Sequence, residues 1–367
     1  MLGDLSFSRL TTAAARNWRH GLLTAGLLLA PPLWAQSSVL AVPSYTAQQA
    51  LQGLYRHQLL PDAQRFVTAA QALVTATQNH CASAPTAGDL AAARTQWQST
   101  LLAWDTLSTV AVGPLLERRS QRQIDFWPTR PALIEKAIAR APQGAADMEL
   151  VGTPAKGLPA LEWLLWTQPV APQTPACAFA VEVAADIGRE AQALANGFAS
   201  APVLGTQTTP QATEAAHVEW INQWLGALER LRWAEMEKPV VSAPAGTAPT
   251  FARQASASDL ASWTSQWRLL RNHAALYPRQ GRAPVKPGEG AVPIESLLMG
   301  QGKLALASRW TEAVEQSDRA MAALATPLRP AEVQRAAQSL KALSILFQHE
   351  VAGSLNIPLG FSDADGD

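Results

Sequence analysis

The chain has 367 residues, 48% hydrophobic and only 16% charged, with 29 basic residues balancing 29 acidic ones. That length suffices for one large or two medium domains with real cores, and zero formal charge leaves no electrostatic footprint for nucleic acid. Thirteen Trp against three Tyr is an unusual balance; eleven of those Trp follow residue 35, so indole packing must dominate a core or a cleft.

Residues 1–35 read as a secretory signal peptide. Arg9, Arg16, Arg19 and His20 form the basic region, Gly21 to Leu33 the apolar one, and Ala35 precedes the expected cut at Gln36. The apolar run is too short for a stable bilayer anchor, so no transmembrane anchor is expected after cleavage. Export to the periplasm makes a disulfide the default for Cys81 and Cys177, the one pair in the chain.

Helical signals then recur and strand signals are scarce. Thr46 and Gln49 form a capping box, followed by an amphipathic run to about residue 78 with a bend at Pro61. A second helix from Asp89 carries Leu90, Ala93, Trp97, Leu101, Trp104 and Ser108 on one face, a stripe that reads as core, with Asp105 just beside it. Gly113-Pro114 ends that helix. Arg122, Asp125, Phe126 and Trp127 form an acid, base and aromatic cluster before a short helix, 132–140. Residues 141–156 are expected as loop. Further helices are expected over 175–200, 210–238, 259–277, 294–324 and 331–354. Pro, Ala, Ser, Gly and Thr dominate 239–256, where periodicity stops. This divides the mature chain into an N-terminal helical domain, 36–238, a linker, 239–256, and a C-terminal helical domain, 257–367. Pro159…Leu164-Leu165 and Pro293…Leu297-Leu298 form a loose internal repeat, so the fold class is all-α, two packed helical bundles.

Gly157 to Trp166 is the stretch with the most chemistry. It opens at a Gly, places Pro159 in a first helical turn, and is apolar except for Glu162. Leu161, Leu164 and Leu165 line one stripe, and Glu162 lies about 100° beyond Leu161. A carboxylate there either points into a shielded cleft or reaches water or a neighbouring Arg. No HExxH, GxSxG, phosphate loop, dinucleotide fingerprint or catalytic Cys arrangement accompanies it, and the mature His residues are isolated. The tail Asp363-Ala364-Asp365-Gly366-Asp367 lacks the Gly position and downstream Glu of a calcium loop and reads as a frayed acidic terminus.

Together these residues make the chain resemble the imelysin-like family of exported bacterial proteins, described as insulin-cleaving metallopeptidases and as iron-regulated proteins. Its hallmark is Gly-x-His-x-x-Glu followed by an aromatic residue and Leu-Leu. Gly157, Glu162 and Trp163-Leu164-Leu165 match it, while Pro159 stands where the family has His. The Trp97…Trp104 helix, Arg122-x-Ile124-Asp125 and the segment from Pro358 to Asp367 match as well. The resemblance implies two helical domains meeting at a cleft near the motif. It implies a site of Gly157, Pro159 and Glu162, with Asp125, Asp105, Arg122, Trp104 and Trp127 as cleft residues. Without the His, peptidase chemistry loses half its ligand pair. Glu162 and Asp125 remain as oxygen ligands for iron or another hard ion. The leading expectation is a non-catalytic periplasmic protein binding a metal or ligand in iron uptake, with an uptake partner in the periplasm or outer membrane. A Trp-rich interaction module and a metallopeptidase are the alternatives.

Overall fold

The computed structural model describes residues 43–205, 208–276 and 284–360, and among these every regular element is helical. The expected signal peptide and the acidic tail lie outside the described residues. No described helix is long and apolar enough to cross a membrane.

The chain enters α1 (Ala47–Leu54) through the expected capping box. Gln49 N–H donates to the Thr46 hydroxyl, and Thr46 N–H donates to the Gln49 amide oxygen. A π turn, Tyr55–Leu59, joins α1 without a break to α2 (Leu60–Cys81), and Pro61, which has no N–H to give, closely follows that widened turn. Then come α3 (Asp89–Ser108), α4 (Pro114–Glu117), α5 (Ser120–Ile124) and α6 (Pro131–Arg140). The stretch expected as loop holds a short helix, α7 (Gly144–Glu149). The Asp147 carboxylate accepts from Gln143 N–H and fixes its first turn, while Met148 is buried. Next are α8 (Gly157–Glu162), which runs into a π turn at Trp163–Thr167, and α9 (Pro175–Ala199). α10 (Pro210–Glu229) continues through a π segment, Arg230–Glu237, to α11 (Lys238–Val241).

After α12 (Asp259–Ala274), the helix expected over 294–324 is two helices, α13 (Ile294–Gly300) and α14 (Leu304–Ala322). Gly302, at φ 74°, takes the left-handed position, and its N–H and that of Lys303 return to the carbonyls of Met299 and Leu298. That paired closure ends a helix cleanly. α15 (Pro330–Leu346) passes through a π turn, Phe347–Val351, into α16 (Ala352–Ser354).

α2 packs along α3 and α9, with α8 against α9 and α3. In the second group α15 packs on α14 and on the π segment after α10, and α12 packs on α14. The groups meet where α12 lies on α3 and α1 on α10. Both cores are built on indoles: Trp97, Trp104, Trp220, Trp224 and Trp310 are at most 1% exposed. Most satisfy their N–H on a backbone carbonyl or a ring nitrogen. Trp224 donates to Leu270 O, Trp310 to Ala274 O and Trp220 to His273 Nδ1. The Cys81–Cys177 disulfide joins the C-terminal end of α2 to the first turn of α9, with Cα atoms 5.5 Å apart.

Candidate functional site

Gly157 sets the position of the motif helix. Its φ is 76°, and a Cβ there would lie 2.4 Å from the carbonyl oxygen of Ile124 and 2.9 Å from that of Gln123. Only glycine lets α8 start so close to the end of α5. Behind it, Trp97 on α3 donates its indole N–H to Leu158 O at 3.0 Å. The whole turn from Gly157 to Glu162 is buried, and Leu161, Leu164 and Leu165 are fully so.

Glu162 is therefore no solvated border residue; it is 3% exposed. Its Oε1 accepts from the Ser256 N–H at 3.0 Å and from the Ser256 hydroxyl at 2.6 Å. Its Oε2 faces Arg253 Nη1 at 3.6 Å, an ion-pair distance longer than a hydrogen bond. The other end of that guanidinium, Nη2, donates to Asp125 Oδ1. The guanidinium also lies over the Trp97 ring, 6.0 Å from its centre. Arg253 thus occupies the space between the two carboxylates read as metal ligands, with Trp97 as its floor.

Arg253 and Ser256 belong to a non-helical coil before α12, residues 251–258. Composition marks 239–256 as a spacer, yet its C-terminal end is bound down: Phe251, Arg253 and Ser256 are 7%, 6% and 5% exposed. Arg253 N–H donates to Asp259 Oδ1, and Gln98 on α3 donates to Ser256 O and Ser258 Oγ.

Carboxylates outnumber the guanidinium. Burial raises the Glu162 pKa against the opposing pull of Arg253 and Ser256. Asp105, 4% exposed with Oδ2 lacking a hydrogen-bond partner, is pushed well above the ordinary aspartate range by burial. Burial lifts Asp259 to about 6. Burial alone would pull Arg253 down, but Asp125, Glu162 and Asp105 hold it above its ordinary value.

Of the other residues read from sequence, Arg122 is exposed and lies outside this network, so Arg253 supplies the cation expected of it. Trp104 is core, packed at 5.3 Å on Phe66. Pro159, Glu162 and Trp163 line a cavity of about 350 Å³ with Trp127, Thr250 and Phe251. Trp127 is 49% exposed at its rim. Sequence reading missed Arg253 and Ser256, which lie in an aperiodic stretch with no motif around them. It also read Trp97 as core only, whereas that ring carries the guanidinium as well.

Among the described residues no three His, Cys, Asp or Glu side chains are grouped to hold a metal ion. Glu162 Oε1 is committed to two donors, Asp125 to Arg253, and Pro159 offers none. The residues present do not fit a resident metal.

The family model described as Imelysin (peptidase family M75) matches residues 59–348. An Imelysin-like protein from Psychrobacter arcticum 273-4 has a similar structure, with a TM-score of 0.68 at 17% identity. The match covers 86% of this chain and 97% of that one. A protein from Parabacteroides distasonis ATCC 8503, named as an iron-regulated protein A precursor, matches with a TM-score of 0.65, also at 17% identity and with the same coverage. At that identity the likeness is one of fold. No curated protein matches the chain.

Proposed function

The chain belongs to the imelysin family, and from that premise we propose that it is a non-catalytic member, a binding protein that acts outside the cytoplasm in an iron-linked uptake process. The observation that carries this reading is the Arg253 guanidinium set between Asp125 and Glu162. A metallopeptidase needs an open metal position and a base free to take a proton from water. Here a fixed side-chain cation neutralises the carboxylates, and the hallmark His is Pro159. The motif turn works as a structural lock that binds the 251–258 coil to α8.

What remains for function is the cavity beside the lock. Trp127, Trp163 and Phe251 give it aromatic faces, and Thr129, Thr167 and Gln254 add neutral polar groups. Such a lining suits an uncharged or weakly polar ligand, or a partner's side chain, held by stacking. The link to iron draws on the name of the Parabacteroides relative, and export on the leader expected from the sequence of residues 1–35.

The test has two arms. Purified protein is incubated with an unfolded protein substrate and divalent metals; in cells of the source organism, its level and compartment are followed as iron is withdrawn. We expect no cleavage, with accumulation outside the cytoplasm under iron limitation. Metal-dependent, chelator-sensitive cleavage that disappears in Glu162→Gln would overturn the non-catalytic reading. A cytoplasmic protein indifferent to iron would overturn the rest.

A further inference from the structure

A second cavity, of about 560 Å³, lies where the first helical group meets the second, and the motif helix does not line it. Its volume falls within the roughly 300–1,000 Å³ of small-ligand sites. α2 contributes Asp62 and Arg65, α12 contributes Arg268 and Asn272, and Leu102 and Leu269 are among its apolar lining. The π turn before α2 delivers His57 and Gln58 to the same cavity. An inserted residue of this kind, frequent at functional sites, re-aims the side chains that follow it. Both side chains are anchored across the interface, His57 Nε2 to Gly288 O at 3.0 Å and the Gln58 amide to His273 Nε2 at 2.5 Å.

Two groups in the wall are incompletely used. Asp62 is 1% exposed; its Oδ1 pairs with Arg65, while Oδ2 is buried without a hydrogen-bond partner. A buried acceptor left without a donor is costly, so its presence in a cavity wall points to a ligand that carries a donor. Arg268 is exposed and makes no hydrogen bond or ion pair of its own among the described residues. Its charge is felt at Asp62, where burial lifts the carboxyl to about 6 against the pull of both arginines. An uncommitted guanidinium beside a cavity points to an anionic oxygen, for which its paired N–H groups are shaped. With Asp62 set against Arg65, the site keeps one positive charge over.

We propose that this cavity binds a small amphoteric molecule with an apolar body, of the amino-acid or short-peptide class. Its carboxylate is held by Arg268 and its amine directed to Asp62. Leu102 and Leu269 receive the apolar part.

Calorimetric titration with leucyl-leucine, its N-acetyl derivative and its C-terminal amide tests each contact separately. Leucyl-leucine is expected to bind saturably, and blocking either end to weaken binding by about tenfold or more, as expected for loss of a charge-assisted hydrogen bond. Arg268→Gln should bind the free peptide and the amide alike. Ala103→Leu, which adds bulk to the cavity wall, should abolish binding while the protein melts as a folded chain. Absence of saturable binding, equal binding of all three probes, or an Arg268→Gln protein that binds like wild type would overturn the assignment. None of these readouts involves Glu162 or Arg253, so failure here leaves the reading of the motif site standing.

Discussion

Two short helices in this chain, α8 and α13, each bury a glutamate near a Leu-Leu pair, which lies within α13 but in the π turn that follows α8: Glu162 is 3% and Glu295 7% exposed. Glu295 accepts from the backbone N–H of Leu276 at 2.9 Å. Glu162 accepts from Ser256 twice and faces the buried Arg253 guanidinium. A backbone N–H can cap a carboxylate wherever the chain passes. A buried guanidinium must itself be enclosed, and here that takes Asp125, Glu162 and the Trp97 ring. The two helices thus use the same residue type differently: one glutamate ties down a neighbouring turn, the other anchors a charged network.

Of the two arrangements, the one around Arg253 stands to lose more from a single substitution. Arg253→Met leaves the buried Glu162 and the half-buried Asp125 without their cation, and removing one partner of a buried pair costs about 3–5 kcal/mol. Glu295→Gln, which exchanges a charged acceptor for a neutral one on a backbone donor, should cost about 1–2 kcal/mol. Urea denaturation of the two variants measures the difference. Equal losses would mean that the ion pair adds nothing beyond a hydrogen bond.

The entrance of α8 and the exit of α13 differ as well. Gly157 and Gly302 both have positive φ, 76° and 74°. Alanine in that conformation costs roughly 1–2 kcal/mol at either site. At Gly302 nothing lies within 4 Å of the added Cβ, whereas at Gly157 it meets the Ile124 carbonyl. Gly157→Ala should therefore be the more damaging by thermal melting and should loosen the packing of α8 on α5. Similar melting temperatures for the two variants would show that the close approach is not tight.

Most of the fold was legible because its signals are local. The Thr46 box, the Trp stripe of α3, Pro175 and Pro210 opening helices, and the paired cysteines each act within a turn or through a single bond. The break after Gly300 was not read because Leu297, Leu298, Leu304 and Leu306 keep helical spacing across it; only the left-handed Gly302 stops the ladder. Half of the site was legible, since Gly157, Glu162 and Asp125 lie in stretches with a recognisable pattern. The other half comes from a coil whose composition matches a spacer, and nothing local marks Arg253 as the residue that reaches both acids. Arg122 was the natural candidate by proximity in sequence, but α5 leaves it on the outside.

A smaller effect follows from pH. Asp259, beside the network, and Asp62, in the second cavity, are both lifted to about 6 from 3.8 by burial, and Glu162, Asp105 and Glu235 are shifted the same way. Between the ordinary value and the raised one, the folded protein holds protons that the unfolded chain has released. Stability should therefore be greater near pH 4 than at pH 7, as far as these groups decide it, and should fall as pH rises toward about 6. Asp62→Asn should flatten part of that slope and leave the Asp259 part, a separation that denaturation at several pH values resolves. A slope of opposite sign that Asp62→Asn leaves unchanged would contradict it.

Arg253 holds the place between Glu162 and Asp125 and leaves no room there for a metal. Calorimetric titration of iron, zinc and calcium ions into wild-type protein and Glu162→Gln, both prepared without chelator, tests it directly. Matching titrations are expected, with no stoichiometric binding that depends on Glu162. One equivalent of any of these ions bound by the wild type and lost in Glu162→Gln would contradict it.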